Sequence, residues 1–369
     1  MRGTKKNMTN SRSQNDDPKL AGGSKENRFC DDVSRRKFLK TAAALGAGVM
    51  ASGNALIAQT EPQGSLAKTG RIDVHHHAVV PGYMKASGLG ANWHWSPALS
   101  LEQMDKYGIA TAMLSISTPG VWYGNVEQGR QLARECNEFM ANMVRDYAGR
   151  YGMFTAVPLP DQDGTLAEIE YGYDKLKADG VGLLTSYGDK WLGDPAFEPA
   201  FQELNRRNAI VFIHVTGPTC CSNLIPGARA TMDEYDFDMT RTVVSMLVNG
   251  TFAKFPNVRF ILVHSGGTLP VLAGRINDRF PKDRLSGVPD GVLPTLKKLY
   301  YEVAHATYPS PLSALTQFAP MSQILFGTDY PAEVMTSTID PLAQSGLSVQ
   351  DLQAINRGNA ERLFPRLKV

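Results

Sequence analysis

Arg71-Ile72-Asp73-Val74-His75-His76-His77 places three consecutive histidines at the end of a short strand-like run, and its reading decides the fold. Side chains alternate along a strand, so Asp73, His75 and His77 are expected on one face and His76 on the other. Two imidazoles on one face, about 7 Å apart along the backbone, can converge on a single metal ion. A lone histidine is more often a satisfied core or surface residue, whereas DxHxH at a strand's C-terminal end is much more specific. Seven further runs of strand character come after it: 109–117, 151–157, 181–185, 210–215, 259–264, 299–303 and 323–326. Helical patterns lie between them. In 125–146, Leu132, Cys136, Phe139, Met143 and Tyr147 repeat at three and four residues, and 236–255 does likewise with Val244, Leu247 and Val248. Strands alternating with helices predict an α/β fold, a closed parallel (β/α)8 TIM barrel, with a doubly wound open sheet as the alternative. No internal repeat or low-complexity linker interrupts the chain after Arg71, so one catalytic domain is expected over residues 59–369.

In such a barrel the C-terminal strand ends form the active face. His214 closes Ile210-Val211-Phe212-Ile213, His264 closes Phe260-Ile261-Leu262-Val263, and Asp329 comes directly after Leu325-Phe326-Gly327-Thr328. With His75 and His77, these polar residues from the first, fifth, sixth and eighth strands are predicted to meet in space. Unrelated capping or turn residues would explain each singly but poorly explain the whole set.

The N-terminus has a different character. Residues 1–40 hold 11 Lys or Arg against 5 Asp or Glu, leaving 27 against 31 in the remainder, so the body is mildly acidic. It lacks a basic stripe able to neutralise phosphates, and no nucleic-acid partner is expected. Ser34-Arg35-Arg36-Lys37-Phe38-Leu39-Lys40 precedes an uncharged Ala- and Gly-rich stretch ending near Thr60. Residues 1–58 therefore read as a polar extension plus a twin-arginine signal peptide, predicting a periplasmic protein with no stable membrane span after processing. The four cysteines (Cys30, Cys136, Cys220, Cys221) show no CxxC spacing, so neither a disulfide framework nor a zinc knuckle is indicated.

Several motifs together resemble the metal-dependent amidohydrolases related to aminocarboxymuconate-semialdehyde decarboxylase: IDVHHH at 72–77, HSGG at 264–267 with Leu269-Pro270 and GRI ending at 276, FGTDYP at 326–331, and GNAERLF at 358–364. The resemblance spans residues 71–364. It implies that His75, His77, His214 and Asp329 ligate one divalent ion, zinc in most relatives with manganese as the alternative, and that His264 is the catalytic histidine. It also implies that Arg275 reaches a neighbouring subunit's site and holds a substrate carboxylate, in a homodimer. Three features depart from the family's pattern. Val215-Thr216-Gly217-Pro218 stands after His214 where many relatives have proline at once, the family's second carboxylate-binding arginine is not identifiable, and the fourth strand offers no lysine to bridge two metals.

Residues 95–120 and 305–320 look most like the 6-methylsalicylate decarboxylases and their bacterial relatives. This implies non-oxidative loss of CO2 from a small aromatic carboxylic acid, giving a phenol such as 3-methylphenol. That chemistry needs a proton placed on the carbon bearing the carboxylate, which either His264 or Asp329 can deliver. His264 is favoured for activating water, and Asp329 as a ligand that also transfers a proton. Trp93-His94-Trp95, Trp122-Tyr123 and Tyr187 with Trp191 lie just past strand ends and are candidates to stack on a planar ring, Trp191 being the expected substrate contact. Two rivals remain at this level. One is a metal-dependent hydrolase or lactonase acting on a carboxylated ring, which adds water without releasing CO2. The other is a periplasmic binding protein on a barrel that has lost catalysis, which would have no need of the ligand set.

Overall fold

All eight runs form strands in the computed structural model, which describes residues 70–89, 93–221 and 224–367. The expected extension and signal peptide at 1–58 lie outside the described residues. The strands are β1 (Arg71–His77), β2 (Ile109–Ser115), β3 (Tyr151–Ala156), β4 (Gly180–Leu184), β5 (Ile210–His214), β6 (Arg259–Leu262), β7 (Tyr300–Glu302) and β8 (Ile324–Leu325). β1, β3 and β5 are buried along their whole length, which is why β5 reads as the continuously apolar run Ile210–Ile213, whereas β1 buries Arg71, Asp73 and its three histidines. The strands pair in parallel in sequence order from β1 to β8. The seam between β8 and β1 is carried by Val74 N–H donating to Phe326 O at 3.0 Å and His77 N–H to Tyr330 O at 2.7 Å. The fold is therefore the predicted (β/α)8 barrel.

The connecting helices include α1 (Pro97–Lys106), α2 (Val126–Asp146), α3 (Gln162–Tyr171), α4 (Glu198–Arg206), α5 (Glu234–Val248), α6 (Leu269–Asp278) and α7 (Pro309–Phe318). α2 starts at Asn125, whose side-chain oxygen accepts from Gln128 N–H at 2.9 Å, and it buries Leu132, Cys136, Met140 and Met143 against the sheet. Among the described residues no helix is long and apolar enough to cross a membrane.

Three local expectations are corrected. The helix predicted over 236–255 is α5 plus a short helix Thr251–Lys254, divided at Gly250, where φ is +70°. The sixth strand stops at Leu262 rather than reaching His264, because His264 and Ser265 adopt φ of +53° and +57° and turn the chain. Asp73 does not join the face of His75 and His77. The β1–β2 register slips between Asp73 and His76, and the Asp73 carboxylate instead accepts from His75 N–H (3.1 Å), Thr328 N–H (3.0 Å) and Thr328 Oγ1 (2.6 Å), with His76 Nδ1 at 3.3 Å. It ties the seam together beneath the site.

Inside the ring, Phe154 on β3 and Phe212 on β5 stack with centroids 4.9 Å apart, and Phe212 lies 5.2 Å from the His75 ring. This dry aromatic floor places the histidines in low dielectric, where each unpaired polar atom is costly.

Candidate metal centre

Three strand ends deliver one cluster. His75 and His77 leave β1, His214 ends β5 and Asp329 lies just beyond β8; their ligand atoms all lie within 4.8 Å of one another, and all four residues are buried. His75 Nε2 is 3.2 Å from His77 Nε2 and 3.2 Å from Asp329 Oδ1, and His77 Nε2 is 2.9 Å from the same oxygen.

The outer nitrogens settle which atoms face inward. His75 Nδ1 donates to Glu302 Oε1 at 3.1 Å and His214 Nδ1 to Val215 O at 2.8 Å. Both acceptors lack protons, so each ring carries its hydrogen at Nδ1 and turns a lone pair at Nε2 towards the centre. His77 Nδ1 sits 3.0 Å from Ser115 Oγ. His214 Nε2 is buried without a hydrogen-bond partner. Three imidazole lone pairs and a carboxylate oxygen crowded into one dry space repel one another unless a cation lies between them, so the donor set fits a divalent ion.

Electrostatics point the same way. Burial pulls the His75 imidazolium down, but Asp329 and Glu302 outweigh it and raise its pKa to about 10, so that without an ion a proton on Nε2 takes the place beside Asp329 Oδ1 that a metal takes when the lone pair is free. Burial and the neighbouring His77 and His75 push His214 well below its ordinary value. Burial would raise the Asp329 carboxyl, yet His75, His264 and His305 together hold it well below the usual carboxylate range. The pocket thus favours positive charge beside Asp329 while keeping His214 neutral and available as a ligand.

Asp329 uses both oxygens. Oδ1 faces the ligand set, while Oδ2 lies 2.9 Å from His305 Nε2 and 3.6 Å from His264 Nε2. His264 and His305 meet edge to face with centroids 4.5 Å apart, and the His264 ring stacks 5.5 Å from His75. His264 Nε2 is buried without a hydrogen-bond partner, leaving it available at the mouth. Asp329, His264 and His305 all adopt left-handed backbone, with φ of +59°, +53° and +58°. Such strain, about 1–3 kcal/mol per residue, persists where surrounding contacts enforce it and concentrates at functional sites.

Glu302 is the main enforcer, and sequence reading missed it. Fully buried at the end of β7, it binds His75 Nδ1, accepts from His264 N–H at 2.6 Å through Oε1, and accepts from Ala304 N–H at 2.6 Å through Oε2. One carboxylate thereby fixes a ligand ring and two strained turns. Burial would raise its pKa, but His75 and His264 prevail and it is lowered. The signal in the sequence was a Glu closing the run Leu299-Tyr300-Tyr301, which reads as easily as an exposed strand end.

The remaining expected residues are spread around this cluster. Trp93 stacks on His77 at 5.9 Å, and Trp122 and Tyr187 border an apolar cavity beside His214. Trp95 packs against Phe139 on α2, and His94 is exposed. Trp191 donates its indole N–H to Asp238 at 2.6 Å and is engaged there rather than at the His/Asp cluster. Arg275 is exposed on α6 and is not brought to the cluster within this chain.

A parallel barrel whose C-terminal mouth gathers three histidines and an aspartate defines a metal-dependent barrel enzyme with a divalent-metal centre. The chain belongs to the amidohydrolase family, whose model matches residues 72–366. It is similar to the 6-methylsalicylic acid decarboxylase of Aspergillus aculeatus, at 36% identity over 324 residues, covering 81% of this chain and 97% of that protein. A decarboxylase of Aspergillus niger is 34% identical, covering 81% of this chain and 88% of that protein. A dihydroxybenzoic acid decarboxylase from Polaromonas sp. JS666, solved with manganese and the inhibitor 2-nitroresorcinol, shares the fold with a TM-score of 0.72 at 21% identity, covering 81% of this chain and 98% of that one.

Proposed function

We infer that this chain is a carboxy-lyase that removes CO2 without oxidation from a small aromatic carboxylic acid of the 6-methylsalicylate type, giving a phenol such as 3-methylphenol. The observation that carries the reading is the division of Asp329 between the ligand set at Oδ1 and two histidines at Oδ2. When bound, a divalent ion supplies charge that orients the substrate carboxylate and the adjacent phenol oxygen. In the reaction the bond between the ring and the carboxylate breaks, and the ring carbon gains a proton in place of CO2. Asp329 Oδ2, turned away from the ligand set and flanked by His305 and His264, delivers that proton. His305, with 40% of its side chain exposed, connects Oδ2 to solvent and restores the proton. His264 faces the same oxygen and positions the substrate or a water beside it.

Asp329→Asn is expected to cut CO2 release by at least about 10²–10⁴-fold. The assay is CO2 evolution from 6-methylsalicylate with phenol detected as product. Turnover that survives both Asp329→Asn and His264→Ala overturns the assignment, and water addition without CO2 points to a hydrolase.

Three finer points belong to the same reading. Three imidazoles and one carboxylate are a donor set of zinc, with manganese the competitor, and metal analysis by mass spectrometry decides between them. A homodimer in which Arg275 reaches the second copy's site and holds the substrate carboxylate predicts a raised KM in Arg275→Ala and a dimer by light scattering; a monomer with full activity contradicts it. The Arg35-Arg36 pair supports export to the periplasm by the twin-arginine route, and export that persists when both become lysine refutes it.

A further inference from the structure

Beside the metal ligand His214, the inner wall of the barrel changes character. The parallel register sets Ala156, Gly182 and Phe212 in one row across β3, β4 and β5, and sets Leu184 next to His214 in β4 and β5. Phe212 lies against the ring of His75, so this row faces inward, and with it Gly182 and Leu184. Ala156 and Gly182 leave two of the three positions of this row small, beside Phe212. They open a cavity of about 30 Å³ that continues to Val121, Trp122 and Tyr187. About 10–15 Å³ of such space suffices for a water, so the cavity takes a group of one or two heavy atoms and no second ring.

Among the described residues that border it, most side chains are apolar and none is Lys, Arg, Asp or Glu, with His214, Trp122 and Tyr187 supplying the polar atoms. Tyr187, the one hydroxyl-bearing residue there, accepts Leu184 N–H at 2.9 Å. Gly182 is built as an opening and not as a turn. A Cβ at that position would meet Phe154 Cβ at 3.7 Å and Thr155 O at 3.8 Å, ordinary contact distances, so a side chain fits the strand and points into the space.

We propose that the cavity bordered by Ala156, Gly182 and Leu184 is an alkyl subsite that selects aromatic acids bearing a small apolar substituent and discriminates against a hydroxyl at the same ring position. The inference rests on the decarboxylase reading above and names the substrate feature that the same site recognises. A hydroxyl entering this space exchanges its water partners for a mostly apolar lining without a charged group, whereas a methyl gains contacts there.

The test is a panel of salicylate, 6-methylsalicylate and 2,6-dihydroxybenzoate with metal-loaded wild type, Gly182→Ala and Gly182→Val, each checked for an unchanged far-UV spectrum and metal content. Wild type is expected to favour 6-methylsalicylate over 2,6-dihydroxybenzoate by about tenfold or more in kcat/KM, the range that one methyl-sized contact supplies. Filling the cavity is expected to lower the 6-methylsalicylate to salicylate ratio stepwise, by several-fold in Gly182→Ala and about tenfold or more in Gly182→Val. Equal wild-type turnover of the methyl and hydroxyl substrates, or variants that slow 6-methylsalicylate and salicylate in the same proportion, overturn the subsite and leave the decarboxylase intact. Absence of CO2 from every member of the panel overturns the decarboxylase itself.

Discussion

Among individual side chains, Glu302 organises the most of the site while touching no substrate. It holds the His75 ring through Nδ1 and pins the backbone N–H groups of His264 and Ala304. Replacing it by glutamine keeps the shape but sets an NH2 against a partner that also donates, so one of these bonds is lost. Outer partners of this kind are typically worth about 10–100-fold in metal affinity. Glu302→Gln is therefore expected to weaken metal binding by that factor, measured by competition with a chromophoric chelator; unchanged affinity would show that the outer carboxylate does not tune the site. The ligands themselves were legible in sequence because a histidine or aspartate closing an apolar run has few structural roles. Glu302 and His305 were not, since their meaning depends on residues more than 20 positions away that the barrel brings alongside.

The elements repeat the contrast. Apolar runs announced the eight strands, but their ends are set by hydrogen bonds across the barrel that no local pattern encodes. The chain leaves β6 early because Glu302 captures His264 N–H, and Asp73 abandons the metal face because Thr328, across the seam, offers it two donors. β8 is only two residues long, and the turn after it is tightly packed. A Cβ on Gly327 would run into the Glu302 carboxylate and approach His75 Cβ to 2.9 Å. Gly327→Ala is thus predicted to displace both groups, destabilising the fold by about 1–3 kcal/mol as overpacking does and weakening metal binding together with it. Thermal unfolding and chelator competition on the same variant check this; a loss of stability with metal affinity untouched would mean that β8 moves instead of Glu302.

For the molecule as a whole, ion pairs on the outer helices shape its response to acid. On α4, Glu203 accepts from Arg206 and Arg207, and these bonds, the Arg206 one foremost, outweigh burial and lower its pKa from 4.5 to about 2. A carboxyl depressed on folding contributes stability that is complete above its unfolded pKa and is lost as pH falls through the folded one. Wild type should therefore lose Tm between about pH 4.5 and pH 2, and Glu203→Gln should show a shallower decline over that window; parallel curves would remove Glu203 from the acid response. The gain is modest, since Arg206 is 64% exposed and such pairs are screened by solvent.

At the centre of the molecule's chemistry, the clustered histidines and Asp329 must hold an ion that turnover needs. The direct measurement is CO2 release from 6-methylsalicylate by the purified protein, followed through chelation and stepwise return of zinc or manganese with bound metal quantified at each point. Release is predicted to disappear with the metal and to return in proportion to it, saturating near one equivalent per chain. Undiminished CO2 release from metal-free protein, or full metal occupancy with no CO2 from any aromatic acid tested, would contradict that role.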